Sequence, residues 1–382
     1  MNVRATLVLS AMLSSCASQP PRQVVDSLFN DSWFAPPAER IRADDVFAMS
    51  PEMRQYLAAE IIPGMAALDV QKTLFNKLYL EGQLKLDYDA TTTRSAAQAF
   101  ADKSGNCLSL VMLTAAFAKE LGVPVRFQMV HVDEAWSRRG AIEFSTEHVN
   151  VTLGPKAGIG TRVGAEASDL TIDFLPPENL ASLRTRVIAE NTIVAMYMNN
   201  RAAETLDEPP FNRAYWWARA AIVEDPRYIP AYNTLGIVYK LHGDLPEAQQ
   251  LFEWILGLEP ENAIAMGNLV MVLNALGKTA EANAFAVKLK AIQPYPPFYY
   301  FDLGVEAMKR EDFSAARDLF KRQLQRDAFN SQSHFWLGLA YYQLGDLKHA
   351  ERQFSVAIDT STTSGDRELY SAQLAALRAT LQ

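Results

Sequence analysis

The sequence predicts an α+β domain over residues 25–192, followed by an all-α solenoid of helical repeats over residues 193–363. The first prediction rests on one long apolar run, typical of a buried helix, followed by three short runs rich in β-branched and aromatic residues. The second rests on self-similarity at a fixed period of 34 residues in the C-terminal half. Residues 364–382 are predicted to cap the array as a final helix.

The composition is that of a globular protein, and its charge argues against nucleic acid as a partner. The 382 residues would fill two or three domains of about 100 to 200 residues each. Apolar residues make up 49% of the chain and charged residues 21%, so extensive disorder is not expected. Because the formal net charge is -8 and no cluster of Lys and Arg occurs, no nucleic-acid partner is expected.

The N-terminus predicts an exported protein. Arg4 precedes the apolar stretch ATLVLSAML, which is too short to span a bilayer but is typical of a signal peptide. The stretch ends in LSSC at positions 13–16, which resembles the lipobox of bacterial lipoproteins. The resemblance implies that residues 1–15 are removed and that residues 16–24 form a linker beginning with a lipidated Cys16.

The predicted lipid is the membrane contact that we expect, since no other apolar run approaches the length of a membrane-spanning helix. Ala17, and not an aspartate, follows Cys16. In lipoproteins this implies the outer membrane, with the protein facing the periplasm. Lipidation would consume one of the two cysteines, so no intramolecular disulfide is expected and Cys107 would be a free thiol.

The predicted elements of the α+β domain follow one another along the chain. Residues 24–85 contain two helical runs, PEMRQYLAAEII and DVQKTLFNKLYLEGQL, with apolar residues three or four positions apart. A helix is then predicted from about Asn106 to Leu121, before Gly122 and Pro124. The three predicted strands are residues 124–130, 148–153 and 170–174, the last closed by Pro176 and Pro177.

Three chemically reactive residues fall on these elements in a suggestive order. Cys107 begins the helix, His148 begins the second strand and Asp173 lies on the third. This order, with the Gly-Asn-Cys turn and the ELGVPVRFQMV step from helix to strand, resembles the transglutaminase-like superfamily, whose core overlaps that of the papain-like peptidases. The resemblance covers about residues 60–180 and implies a catalytic Cys107-His148-Asp173 triad.

The chemistry explains why these residue types are needed at these places. A helix N-terminus and an imidazolium from His148 both favour the thiolate, which is the nucleophile. Asp173 would accept a hydrogen bond from the other ring nitrogen and fix the tautomer. Alternation in EHVNV places His148 opposite the neighbouring valines, as a residue facing a cleft requires. An oxyanion would be held by the Cys107 N–H and one further donor, for which Gln83, Tyr88 and Asn106 are open candidates.

Each of these residues also has a structural interpretation. Cys107 could be a small core residue, His148 could satisfy a hydrogen bond in the core, and Asp173 could cap a turn. His131 is a rival base, but it follows a strand directly and precedes Asp133 and Glu134, so His148 is preferred.

Metal and cofactor sites are not predicted. The remaining histidines, His242, His334 and His349, are scattered over the repeats without the spacing of metal ligands. No glycine-rich phosphate loop occurs. The enzymatic interpretation is therefore a hydrolase or transferase without a cofactor.

The repeats are defined by small residues in phase. Two positions recur at the fixed step of 34 residues: Ala202, Gly236, Val270, Gly304 and Gly338 in one, and Ala214, Ala248, Ala282, Ala316 and Ala350 in the other. All are small except Val270, which with Asn274 makes the third unit less typical. Only small side chains let two helices cross this closely. The pattern resembles the tetratricopeptide repeat, and we count about five units.

The resemblance implies a concave face, lined by the first helix of each unit, that binds a peptide or protein. On this chain that face would carry Asn199, Asn233, Lys240, Asn274, Phe301 and Tyr342. Asparagines there could hold a ligand backbone by hydrogen bonds. Alternatively, Phe301 and Tyr342 pack between helices and the array is a spacer.

Together these features predict an envelope lipoprotein that cleaves peptide or amide bonds through a thioester, with repeats that bind a protein substrate or partner. Hydrolysis is preferred over crosslinking, because envelope members of the superfamily are more often peptidases or amidases. The alternative is a non-catalytic scaffold lipoprotein that recruits envelope proteins through its repeats.

Overall fold

The computed structural model describes residues 25–37, 39–65, 69–80, 86–131, 136–139, 142–145, 147–155, 168–174 and 184–380. The predicted signal peptide, Cys16 with its linker, Gln83 and the proline pair after the third strand lie outside these residues. Within the described part of the chain, no helix is long and apolar enough to cross a bilayer.

The helical first part of the chain is built from short pieces. Ser50 caps the first helix by accepting the N–H of Met53. Asp69 caps the third in the same way through Gln71. The pieces are 3₁₀ turns at Asp31–Trp33 and Ala43–Asp45, α1 (Pro51–Tyr56), a π-helical turn (Leu57–Ile61), α2 (Ile62–Gly64), α3 (Val70–Phe75) and a second π-helical turn (Asn76–Leu80).

A buried helix forms the centre of the α+β domain. It follows β1 (Asp87–Tyr88), α4 (Ala96–Asp102) and β2 (Ser104–Gly105), and runs as α5 from Cys107 to Glu120 with Asn106 as its N-cap. The predicted helix from Asn106 to Leu121 is therefore confirmed. Its residues from Cys107 to Ala118 are all buried, because apolar side chains surround it and it lies against the sheet.

The sheet has four antiparallel strands in the order β7-β6-β3-β8, and a separate hairpin joins β4 to β5. The three predicted strands are present, but Asp173 is the residue after β7 and not part of it. The last strand of the sheet was not predicted, because its RTRVI sequence is mostly exposed at the sheet edge. The strands are β3 (Val125–His131), β4 (Trp136–Arg139), β5 (Ile142–Ser145), β6 (His148–Leu153), β7 (Leu170–Ile172) and β8 (Arg184–Ile188).

Eleven consecutive helices follow the sheet, all within residues 184–380, as five helix pairs and a final helix. The first helix begins at Glu190, a little before the predicted boundary. The helices are α6 (Glu190–Glu204), α7 (Asn212–Glu224), α8 (Ile229–His242), α9 (Leu245–Leu258), α10 (Ala263–Ala275), α11 (Thr279–Ile292), α12 (Tyr299–Lys309), α13 (Phe313–Arg326), α14 (Ser331–Gln343), α15 (Leu347–Asp359) and α16 (Ser364–Thr380).

A glycine facing a phenylalanine explains the period of the repeats. A Cβ built on Gly236 would lie 2.7 Å from the ring of Phe252, and one built on Gly338 would lie 2.6 Å from the ring of Phe354. Gly304 and Phe320 are related in the same way. In the third unit the sizes are exchanged, because Val270 takes the glycine position and Ala286 takes the phenylalanine position.

The buried apolar side chains form two clusters that share no residue. The first extends from Val25 through the α+β domain to Ala282 on α11, so the domain and the first three repeats have one continuous core. The second extends from Phe298 to Leu377. The distal end of the array nevertheless returns to the α+β domain, where the N–H of Ala90 donates to the carbonyl of Thr362 at 2.9 Å.

Candidate active site

Cys107 is the first residue of α5 and so lies at the positive end of that helix. The side-chain oxygen of Asn106 accepts the N–H of Ser109 at 2.9 Å and so fixes the turn that leads into the helix. Gly105 is required there, because an added Cβ would lie 2.6 Å from the Cβ of Ser109. Cys107 itself is only 7% exposed. The turn predicted from Gly-Asn-Cys therefore places a nearly buried thiol at a helix N-terminus.

His148 and Asp173 meet at the end of the sheet. The Nε2 atom of His148 lies 2.7 Å from Oδ1 of Asp173. The second carboxylate oxygen accepts from Nδ2 of Asn150 at 3.0 Å. Asn150 is two residues after His148 on β6, so both side chains project from the same face of the sheet. Both oxygens of Asp173 are thus engaged, and the carboxylate can hold the imidazole in one orientation.

The residue after Asp173 fixes this end of the sheet against α5. The ring of Phe174 packs on Tyr79 with 5.2 Å between centroids. The hydroxyl of Tyr79 hydrogen-bonds Thr114 on α5 at 2.5 Å. The strand that delivers the carboxylate and the helix that delivers the thiol are therefore joined through one tyrosine.

Both Cys107 and Asp173 influence the charge state of His148. Burial disfavours the charged imidazolium, but hydrogen bonds and charges from Asp173 and Cys107 outweigh it and raise the pKa of His148 to about 9. Because Asp173 contacts Nε2, the ring nitrogen left for Cys107 is Nδ1. The three residues selected from the sequence therefore converge in the order thiol, imidazole, carboxylate. Such a set can form a thiolate-imidazolium pair.

Tyr88 is the oxyanion-donor candidate that touches Cys107. The backbone and the thiol of Cys107 both influence the Tyr88 hydroxyl, and burial, followed by the neighbouring thiol, raises the pKa of Tyr88. The phenol is therefore neutral and able to donate. Asn106 is already used, since its Oδ1 caps α5 and its Nδ2 donates to Thr93 at 2.8 Å. Gln83 lies outside the described residues.

The backbone of His131 ends β3, where it pairs with Arg184, next to the Val130 that pairs with His148. The three histidines of the repeats have their own partners: His242 with Asp244 at 2.7 Å, His334 with Gln353 at 2.7 Å, and His349 with Asp346 at 2.8 Å. In the part of the chain that the structure describes, no group of three or more His, Cys, Asp or Glu side chains is arranged to hold a metal ion.

The six residues selected for the repeat face divide into two sets. Asn199 is 8% exposed and hydrogen-bonds Tyr228, and Phe301 is 6% exposed and packs on Phe320 and Trp336. These two side chains are buried between elements and do not line an accessible face. For Phe301 this is the alternative interpretation, in which the ring packs between helices. The remaining four are at least partly accessible: Asn233, Lys240, Asn274 and Tyr342.

Lys240 has the most unusual setting among the accessible four. Its Nζ lies 4.0 Å from the sulfur of Met271 on the next unit, and burial lowers the pKa of Lys240. Asn233 accepts from Nδ2 of Asn268 at 3.0 Å, so its own amide hydrogens are left to donate. These contacts link the second and third units along their first helices, α8 and α10.

Asn150 is the site residue that the sequence analysis missed. The available signal was its spacing, since a polar residue two positions from His148 on the same strand shares its face. Tyr88 could be named as a candidate but not selected, because its proximity to Cys107 depends on the β1-β2 pairing of two-residue strands.

Comparison with known proteins identifies the repeats. The family model described as tetratricopeptide repeat matches residues 233–296 and 301–364. No curated protein matches the chain. The repeats predicted from the period of 34 residues are therefore confirmed as tetratricopeptide repeats over these two ranges.

Solved structures similar to the chain include several repeat proteins, each at low identity. BtubC (BKLC) from P. vanneervenii is 20% identical, with a TM-score of 0.27, over 45% of this chain and 81% of that one. MamA of AMB-1 is 22% identical, with a TM-score of 0.25, over 44% and 91%. The APC/C hetero-tetramer Cut9-Hcn1 is 18% identical, with a TM-score of 0.30, over 49% and 37%.

Proposed function

We propose that this protein is a cysteine-dependent peptidase or amidase of the transglutaminase-like type, carrying tetratricopeptide repeats that bind a protein substrate or partner. The observation that carries the proposal is the 2.7 Å contact between His148 and Asp173, supported by the influence of Cys107 on the pKa of the same imidazole. A raised pKa keeps His148 protonated at neutral pH, as a thiolate-imidazolium pair requires. A merely structural cysteine would need none of these partners.

The proposed reaction uses each of these groups in turn. The Cys107 sulfur attacks the carbonyl carbon and forms the C–S bond, while His148 gives its proton to the departing amine as the C–N bond breaks. Water then loses a proton to His148 and attacks the thioester carbonyl, so that the C–S bond breaks, the acid leaves, and the Cys107 thiolate and His148 imidazolium are restored. Asp173 keeps the imidazole oriented through both steps. The Tyr88 hydroxyl, beside the Cys107 N–H, supports the role of second donor to the oxyanion.

Acylation of the thiol by p-nitrophenyl acetate tests the proposal. In a Cys16→Ser background, we expect a single acetyl adduct on Cys107, found by peptide mass spectrometry, and its complete loss in Cys107→Ala. His148→Gln should retain the thiol but acylate at least about a hundredfold more slowly, because the imidazolium that stabilises the thiolate is absent. Equal acylation in the His148→Gln protein would contradict an activated thiol and leave the scaffold function.

The scaffold function is the second candidate, because tetratricopeptide repeats generally bind protein partners and this role needs no chemistry. The first helices of the units carry three accessible side chains that can donate hydrogen bonds, and one accessible aromatic ring. The donors are Asn233, Lys240 and Asn274, and the ring is that of Tyr342. The Cys107→Ala protein separates the two functions. If it still captures its partner while acylation is lost, the repeats bind independently of the thiol, and the two functions coexist.

We further propose that the chain is anchored in the bacterial envelope by a lipid on Cys16, facing the periplasm from the outer membrane. The proposal is supported by the apolar N-terminal stretch and the LSSC sequence. Expression in a bacterial host with an alkyne fatty acid should label the protein, and Cys16→Ala should lose the label and enter the soluble fraction. Labelling that persists in Cys16→Ala would contradict this anchor.

A further inference from the structure

The residue before the catalytic histidine is held by the repeats. The hydroxyl of Tyr228 donates to Oε2 of Glu147 at 2.5 Å. Tyr228 directly precedes α8, the first helix of the second unit, and is 6% exposed. Asn199 on α6 lies beside the same hydroxyl and lowers the pKa that burial raises. One tyrosine of the array therefore joins the first two units to the start of β6.

The carboxylate in this contact is costly to bury, so its partners matter. Burial raises the pKa of Glu147, and it does so against the Tyr228 hydrogen bond and the positive charge of Arg186 on β8, which both lower it. Without the Tyr228 hydroxyl, the carboxyl would have to take a proton or move towards solvent. Either change acts on the backbone at Glu147. The next residue is His148, which is the first residue of β6.

We infer that Tyr228 and Glu147 are a positioning pair, through which the second tetratricopeptide unit sets the placement of His148 against Cys107. The inference rests on the proposed catalytic function. It gives the repeats a second role besides binding, because the array then forms part of the support of the active site. The shared core of the domain and the first three units holds the two partners of the pair against each other.

The test compares two tyrosines of the same helix segment in the full chain. Tyr228→Phe removes the hydroxyl that contacts Glu147. Tyr232→Phe is the matched control, since Tyr232 is also buried but its hydroxyl donates to the carbonyl of Pro226 within the same unit. The rate of Cys107 alkylation by the anionic reagent iodoacetate, whose carboxylate is attracted by the positive charge of the His148 imidazolium, is measured against pH, together with the thermal midpoint of each protein.

We expect the wild-type profile to fall at high pH near 9, where His148 loses its proton. In Tyr228→Phe this fall should move towards the ordinary value of about 6.5, with alkylation at pH 8 slowed about tenfold. Tyr232→Phe should lower the thermal midpoint without moving the fall. Glu147→Ala, which removes the acceptor, should move it as Tyr228→Phe does, and the double variant should move it no further.

An unchanged high-pH fall in folded Tyr228→Phe and Glu147→Ala proteins would overturn the inference, as would an equal displacement in Tyr232→Phe. Failure of the catalytic proposal has a different signature. In that case the wild-type profile would already match that of His148→Gln, because the imidazole would have no influence on the thiol.

Discussion

Asp173→Asn is expected to slow acylation of Cys107 about a hundredfold or more, the scale of a lost base or of a base held in the wrong tautomer. The carboxylate accepts from Nε2 of His148 at 2.7 Å, and an amide at this position removes the negative charge that stabilises the imidazolium. The high-pH fall in reactivity should also move from near 9 towards the ordinary histidine value of about 6.5. Acylation and alkylation rates measured against pH check both effects.

The same substitution should change how stability depends on pH. A histidine whose pKa is raised by folding contributes stability that is fully present below about 6.5 and is lost as the pH rises through about 9. A shift of this size corresponds to about 3 kcal/mol at most. In Asp173→Asn, the free energy of unfolding should therefore change less with pH between these two values than it does in the wild-type protein. Denaturation curves recorded at several pH values measure it.

A nearby carboxylate supplies the control for Asp173. Asp169 lies just before β7, as Asp173 lies just after it, and it pairs with Arg126 on the exposed side of the sheet. Asp169→Asn removes the same charge from the other end of β7, where the side chain does not contact the imidazole. If Asp169→Asn and Asp173→Asn slow acylation equally, the effect belongs to the net charge of the region and not to the triad.

Gly338→Val is expected to lower the free energy of unfolding by about 2 to 3 kcal/mol, because the added carbon would lie 2.6 Å from the fully buried ring of Phe354. Phe354→Ala alone should cost about 3 to 5 kcal/mol by leaving a cavity. The double variant copies the third unit, where Val270 stands opposite Ala286. It should be more stable than the sum of the single effects by about 2 kcal/mol.

Gly267→Val provides the control for this cycle, since its nearest outside neighbour would be Leu289 at 3.7 Å, an ordinary contact. It should leave the free energy of unfolding unchanged or slightly raised, because valine is a better helix former than glycine. Chemical denaturation followed by circular dichroism measures all four proteins. Strict additivity in the double variant would contradict a direct glycine-phenylalanine contact as the origin of the repeat period.

The array and the site differ in how far the sequence could predict them. Contacts within one repeat are local and recur, so the small residues at the step of 34 are sufficient to place the helices. The order of Cys107, His148 and Asp173 named the reactive groups because each begins or follows a regular element. Asn150 was within reach of the same reasoning, since it shares the face of His148.

Contacts between the α+β domain and the repeat array could not be predicted from local sequence patterns. Glu147 and Tyr228 are separated by 81 residues, and no periodicity links a strand of one domain to a helix of the other. Asn199 was assigned to a ligand-binding face by its place in the repeat. In the first unit, however, no preceding repeat exists in the array, and the α+β domain packs there instead. Its burial therefore follows from the neighbour and not from its own sequence context.

The separation of the buried side chains into two clusters affects how far local unfolding, caused by a destabilising substitution, extends along the array. Cooperativity in repeat arrays is transmitted by the interfaces between neighbouring units, and here the cluster ending at Ala282 shares no residue with the one beginning at Phe298. The last two units can therefore melt or exchange hydrogens with little cost to the first core. A lesion such as Gly338→Val would act first on those two units, and its described route back to the α+β domain is the hydrogen bond between Ala90 and Thr362.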